Sequence, residues 1–143
     1  MKNTLHSFFI TGANGFIGQH LVQHLSSRGH NVFAFIRPGS LPSFRINEYV
    51  HVCYGDLLDK DSLLRTMPSE TYIIHLAANP YHKTLSYDVN VGGTKNVLDV
   101  AKKKKCKQFV HISTQATKIA TRGVYGNTKI QSDELVRQSN VPF

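Results

Sequence analysis

The sequence predicts an α/β fold built on a doubly wound parallel sheet with strand order 3-2-1-4-5. Three observations predict it. Short apolar runs alternate with amphipathic stretches of helix length along the whole chain. The runs are apolar throughout rather than every second residue, as strands buried on both faces are. A cluster of glycines lies between the first run and the first amphipathic stretch, where the chain must turn tightly. Right-handed crossovers then leave few topologies, of which this order is the most economical.

The elements follow in sequence. "HSFFITG" (6–12) is a strand that ends in glycine. In "FIGQHLVQHLSSRG", Phe16, Ile17, Leu21, Val22 and Leu25 recur at helical spacing, and Gly29 is placed as a C-cap. "HNVFAFIR" (30–37) is the second strand, stopped by Pro38-Gly39, and residues 39–49 read as a loop with room for a short helix. "YVHVCYGD" (49–56) is the third strand and "DKDSLLRTM" (59–67) a short helix. "TYIIHLAA" (71–78) is the fourth strand. "SYDVNVGGTKNVLDVAKKKKC" (86–106) reads as a long helix weakened by Gly92 and Gly93. "KQFVHIST" (107–114) is the fifth strand and "GNTKIQSDELVRQS" (126–139) the last helix. No repeat, low-complexity tract or linker interrupts the pattern, so residues 1–143 read as one domain.

Composition narrows the function classes. With 41% hydrophobic and 18% charged residues the chain is globular rather than disordered. No apolar run approaches the roughly 20 residues of a membrane span. The opening "MKNTLHSFFITG" lacks the long apolar stretch and cleavage site of a secretory signal, so a cytoplasmic location is expected. Cys53 and Cys106 are far apart, in no metal-ligand spacing, and in or beside apolar runs; buried or semi-buried free thiols are expected. The eight histidines form no metal pattern, and His20 and His24 read as surface positions on the first helix. The net charge of +8 is sharpest at Lys102 to Lys105. That run ends a helix, where cations meet the negative end of its dipole. No aromatic-basic motif accompanies it, so no nucleic-acid partner is expected.

The glycine cluster is "TGANGFIG", Thr11 to Gly18, with Gly12, Gly15 and Gly18 spaced three apart. Small residues there let the backbone approach a pyrophosphate, and the following helix offers N–H donors and positive potential. "GDLLD" (55–59), "HLAA" (75–78), "DVNVGGTKNVLDVAKKKKCKQFVHIST" and "YGNTK" follow in order. Together these resemble the short-chain dehydrogenase/reductase superfamily, in its extended and atypical branch of NAD(P)-dependent epimerases and dehydratases. The resemblance covers essentially the whole chain. It implies a Rossmann-like domain whose cofactor lies against Gly12, Asn14, Gly15, Phe16, Ile17 and Gly18. It further implies that Asp56 meets the adenine beside Leu57, and that Leu76, Ala77 and Ala78 run along the cofactor. Asn90 stands on the family's asparagine.

The end of the second strand selects the cofactor. An acid there accepts hydrogen bonds from the ribose hydroxyls of NAD, whereas an arginine pairs with the 2′-phosphate of NADP. This chain has Arg37, with Ser40 as a further donor, and NADP is expected over NAD.

Tyr125 and Lys129 are four residues apart, which on a helix puts them on one face. A nearby ammonium stabilises a phenolate, so the pair suits proton transfer. The resemblance implies that Tyr125 exchanges a proton with the substrate oxygen, that Lys129 also holds the nicotinamide ribose, and that Thr114 or Ser113 polarises that oxygen. An oxidoreductase acting on a hydroxyl or carbonyl carbon is implied, with small molecules including nucleotide sugars as substrates, and a homodimer is compatible with it.

Only ten residues separate Thr114 from Tyr125, where extended members carry a longer loop. That favours an alternative, a non-catalytic NAD(P)-binding module serving as redox sensor or structural subunit. Family members continue into a sixth strand and a smaller substrate-shaping region. This chain is therefore expected to be an N-terminal portion, with the substrate region absent, little turnover alone, and a fifth strand left as an apolar edge.

Overall fold

The computed structural model describes residues 4–81 and 83–143. Five parallel strands, β1 (Ser7–Thr11), β2 (Asn31–Ile36), β3 (Val50–Tyr54), β4 (Tyr72–His75) and β5 (Gln108–His111), form one sheet in the order β3-β2-β1-β4-β5. The reversal of winding between β1 and β4 opens a crevice at the carboxyl ends of those two strands. Each strand is two to four residues shorter than its apolar run, because the run continues into the loop that carries the site.

Side chains alternate across the sheet, and each face collects its own core. On one face Phe9, Phe35, Cys53, Ile73 and Phe109 pack under Val97, Val100, Ala101 and Val136. On the other, Ile10, Val32, Ala34, Ile36 and Val50 pack against Val22. Each large side chain so buried contributes about 1.5–3 kcal/mol. Cys53 and Cys106 are buried free thiols, as expected, and burial pushes the Cys53 thiol up to about 11.

Helix α1 (Phe16–Ser26) ends before Gly29, which takes the left-handed conformation at φ 83°. Val22 faces the core, but Phe16 and Ile17 are 80% and 58% exposed, contrary to the burial their spacing suggests. They form the first turn of the helix and stand at the crevice. Asp59 caps α2 (Lys60–Thr66) by accepting from the Asp61 amide at 3.0 Å.

The predicted long helix starts earlier and is not uniform. It runs as α3 (Lys83–Tyr87), a π-helical segment (Asp88–Gly93) and α4 (Thr94–Lys103). The wider turn takes in Gly92 and Gly93 and buries Asn90. α5 (Gly123–Gln138) begins three residues earlier than predicted and so includes Tyr125. The outer edge of β5 is partly covered: the Phe109 amide donates to the Pro142 carbonyl at 2.6 Å, while Val110 and Ile112 stay partly exposed. Among the described residues, no helix is long and apolar enough to cross a membrane.

Candidate functional site

The crevice holds an open cleft of about 280 Å³ lined by Gly12, Gly15, Phe16, Ile17, Gly18, Leu76 and Ile112. Its floor is backbone. Gly12 sits at φ 70°, and a Cβ there would lie 2.8 Å from the Ala77 nitrogen. The turn closes with the Gly15 amide on the Gly12 carbonyl at 2.9 Å. No side chain caps α1 and no acid stands in its first turn. The first-turn amides of α1 and its positive end therefore remain available to an anion. Backbone donors with apolar walls on either side suit a dinucleotide pyrophosphate, so the residues present fit that group.

Asn14 belongs to the loop's architecture. Its side chain donates to the Leu41 carbonyl at 2.9 Å and accepts from the Ser43 amide at 3.0 Å, tying the glycine turn to the segment after β2. Arg37 is exposed at the end of β2, and the Ser40 amide donates to its carbonyl at 3.1 Å. Asp56 is exposed after β3 and accepts from the Leu58 amide at 2.9 Å, while Leu57 is buried beside it and packs on Gly93. Leu76 and Ala77 are half-buried and Ala78 exposed.

Behind the cleft lies a polar layer that sequence reasoning missed. Thr11, His75 and His111 are paired in register across β1, β4 and β5, directly above the apolar row of Phe9, Ile73 and Phe109. The Thr11 hydroxyl meets His75 Nδ1 at 2.7 Å, and His75 Nε2 meets the Thr94 hydroxyl at 2.9 Å. Thr94 donates to the Asn90 carbonyl at 2.6 Å. The Asn90 amide accepts from the Asn79 backbone at 2.8 Å and donates to the Thr128 hydroxyl at 3.0 Å. Asn90 thus joins the loop after β4 to α5 and is 1% exposed. A signal was present: a histidine closing the apolar run "YIIH" must find partners if buried, and hydroxyls at strand and helix ends supply them.

Tyr125 and Lys129 share α5, as their spacing implied, with Tyr125 half-buried and Lys129 4% exposed. The Lys129 ammonium donates to the Ile112 carbonyl at 2.7 Å and lies 3.3 Å from His111 Nε2. Burial holds its pKa below the ordinary lysine value, partly offset by the Asp133 carboxylate. The two hydroxyls are differently placed. Ser113 donates to Asp133 Oδ2 at 2.6 Å, whereas Thr114 caps the short turn Gln115–Thr117 by accepting from the Ala116 amide at 3.3 Å. Both line a second depression that neither Tyr125 nor Lys129 lines.

His20 and His24 bond locally, to the Phe16 carbonyl and to Arg28 just beyond the helix. Among the described residues, no group of three metal-ligating side chains comes together.

Burial keeps both inner histidines neutral. His75 is held well below its ordinary value by burial, then by His111 and Lys129. His111 is pushed down to about 4 by burial and Lys129, against the pull of Asp133. Unfolded histidines take up protons near pH 6.5, so on acidification the unfolded chain binds protons that the fold refuses. Stability is complete above that pH and declines toward pH 4. For His75, fully enclosed, the slope approaches about 1.4 kcal/mol per pH unit. Urea midpoints at about pH 7 and about pH 5 check this; equal midpoints would mean these imidazoles accept protons in the fold.

The sequence pattern of the NAD dependent epimerase/dehydratase family matches residues 8–141. A 3 beta-hydroxysteroid dehydrogenase/Delta 5-->4-isomerase of Mycobacterium tuberculosis is 30% identical over 137 residues, 88% of this chain and 36% of that protein. The human sterol-4-alpha-carboxylate 3-dehydrogenase, decarboxylating, is 32% identical over 155 aligned positions, 93% of this chain and 40% of that protein. The Bordetella bronchiseptica enzyme WbmH, solved in complex with NAD+, shares the fold with a TM-score of 0.84 at 20% identity, over 96% of this chain and 54% of that one. The chain therefore spans little more than a third of these curated relatives and about half of this structural neighbour. Family pattern, sheet order and glycine-lined cleft agree: this chain belongs to the NAD-dependent epimerase/dehydratase family.

Proposed function

We propose that this chain is the cofactor-binding portion of an NAD(P)-dependent oxidoreductase of the epimerase/dehydratase type, acting on a hydroxyl- or carbonyl-bearing carbon of a small molecule or nucleotide sugar. One observation carries the reading. Ile112 lines the glycine cleft, and its carbonyl holds the ammonium of Lys129, one helical turn from Tyr125. The nucleotide cleft and the tyrosine–lysine helix thus meet at one residue.

When bound, the dinucleotide supplies a nicotinamide carbon that gives or takes hydride. The chain's own residues do the rest. Gly12, Gly15 and the first turn of α1 hold the pyrophosphate, with Phe16, Ile17 and Leu76 excluding water around it. Asp56 and Arg37 mark the adenosine end, and Asn90 fixes the loop after β4 against α5. Tyr125 exchanges the substrate's hydroxyl proton at its phenolic oxygen, Lys129 favours the phenolate and holds the ribose, and Thr114 polarises the substrate oxygen. Ser113 is the alternative polarising group.

Arg37 favours NADP, because a guanidinium pairs with a phosphate dianion through two hydrogen bonds. Fluorescence titration is expected to show NADPH binding on the order of tenfold tighter than NADH, and Arg37→Asp is expected to abolish or invert that preference. Preference for NADH in the unmodified chain would overturn the NADP assignment.

A second reading, a non-catalytic NAD(P)-binding module, draws support from the short connection before Tyr125, from Ser113 being held by Asp133, and from Thr114 serving as a cap. It shares the cofactor and differs in whether Tyr125 reacts.

A further inference from the structure

Lys129 poses a problem that the tyrosine–lysine pairing does not solve. A cation that is 4% exposed needs a compensating charge, and the Ile112 carbonyl supplies only a dipole. Among the described residues, the ionisable groups around it, besides Tyr125 one turn earlier on its own helix, come from three elements. From β4 comes His75, stacked on His111 with ring centroids 5.7 Å apart. From β5 comes His111, and from α5 comes Asp133, one helical turn beyond Lys129. Among these groups, only Asp133 carries negative charge.

His111 stands between the two ions. Its Nε2 lies 3.3 Å from the Lys129 ammonium and 3.0 Å from Asp133 Oδ1. Among the described residues its buried Nδ1 has no partner. A proton on Nδ1 would be an orphaned donor and would set the Nε2 lone pair against the carboxylate, although that lone pair could accept from Lys129 at 3.3 Å. A proton on Nε2 has an acceptor in Asp133 and gives up only the longer contact with the ammonium and a hydrogen bond to the Nδ1 lone pair, the less costly arrangement. Ser113 donates to the other carboxylate oxygen, which fixes Asp133 from the opposite side.

We infer that Asp133, held in place by the Nε2–H of a neutral His111 and by Ser113, is the positioning counter-ion that keeps Lys129 charged and seated at the end of β5. The inference rests on the role given to Lys129 above, but its test needs no cofactor. It also gives Ser113 work apart from the substrate: it orients Asp133.

The experiment is NMR on the 143-residue chain alone. Long-range proton–nitrogen correlation of the histidines is expected to show His111 as the Nε2–H tautomer; an Nδ1–H tautomer would overturn the inference. In chain labelled at the lysine side-chain carbons, Asp133→Asn is expected to lower the Lys129 titration midpoint by about one unit, a roughly tenfold rise in neutral amine at a given pH. Asp133→Glu should restore much of it, and Glu134→Gln, on the exposed side of α5, should leave it unmoved. An unchanged midpoint in Asp133→Asn would overturn the inference even if NADPH binds as proposed. Should that variant not fold, the tautomer in the unmodified chain decides. Failure to bind any dinucleotide would instead strike the functional reading and leave both NMR results interpretable.

Discussion

Gly18→Ala is expected to destabilise the fold by about 3 kcal/mol or more and to remove most dinucleotide affinity. A single added methyl would lie 2.2 Å from the Gly12 carbonyl oxygen and 2.7 Å from the Ala13 Cα. Both are backbone atoms of the cradle itself, so no side-chain rotation relieves the contact. The helix must move away from β1, taking its first-turn amides with it. Gly92→Ala is the control. Its Cβ would meet nothing nearer than a Leu58 methyl at 3.9 Å, and it should be neutral or stabilising by up to about 1 kcal/mol. Urea unfolding and NADPH titration on both variants check the contrast. If Gly18→Ala unfolds at the unmodified midpoint, helix and turn are not as closely packed as described.

Tyr125→Phe carries the second large effect. In a protein that joins this segment to a substrate-binding region, loss of the phenolic proton should reduce turnover by roughly 10²–10⁴-fold while NADPH affinity stays within a few-fold. The reasoning is local. Tyr125 lies in the first turn of α5 and its ring is half-buried, so removing one oxygen disturbs neither the helix nor the cleft floor. Lys129→Met is the companion test. It should weaken both turnover and affinity, because the ammonium anchors the helix to the Ile112 carbonyl beside the cleft. Retention of full function by Tyr125→Phe would select the non-catalytic reading.

The sheet was legible because its central strands β1, β2 and β4 are largely buried on both faces and read as near-continuous apolar runs, with glycine or proline marking exits such as Gly12 and Pro38, while the edge strands β3 and β5 admit exposed residues such as Tyr54 and Gln108. The cleft was legible for a related reason: its function lies in backbone, and backbone access leaves a trace as glycine. What stayed hidden was long-range polar partnership. Thr11, His75 and Thr94 are separated in sequence, and nothing local says that their hydroxyl and imidazole groups meet. Asp133 was nearer to hand, since it follows Lys129 by one turn, yet only the turn of His111 into the same space gives it a role. The π-helical segment was out of reach altogether. Its glycines weaken a helix in any reading, and the wider turn appears only once Asn90 is seen bonded to the loop after β4 and to α5. Phe16 and Ile17 show the converse, since helical spacing alone cannot distinguish a core-facing residue from one that walls an open crevice.

The tether made by Asn14 bears on any attempt to re-engineer coenzyme preference. Swapping residues 37–40 for those of a relative treats that corner as a detachable cassette. Here the strap that follows it is stitched through Leu41 and Ser43 to the glycine turn proposed to hold the pyrophosphate. A graft that shifts the strap will drag on the cradle, so exchanges at Arg37 and at Asn14 should be non-additive and are best selected together.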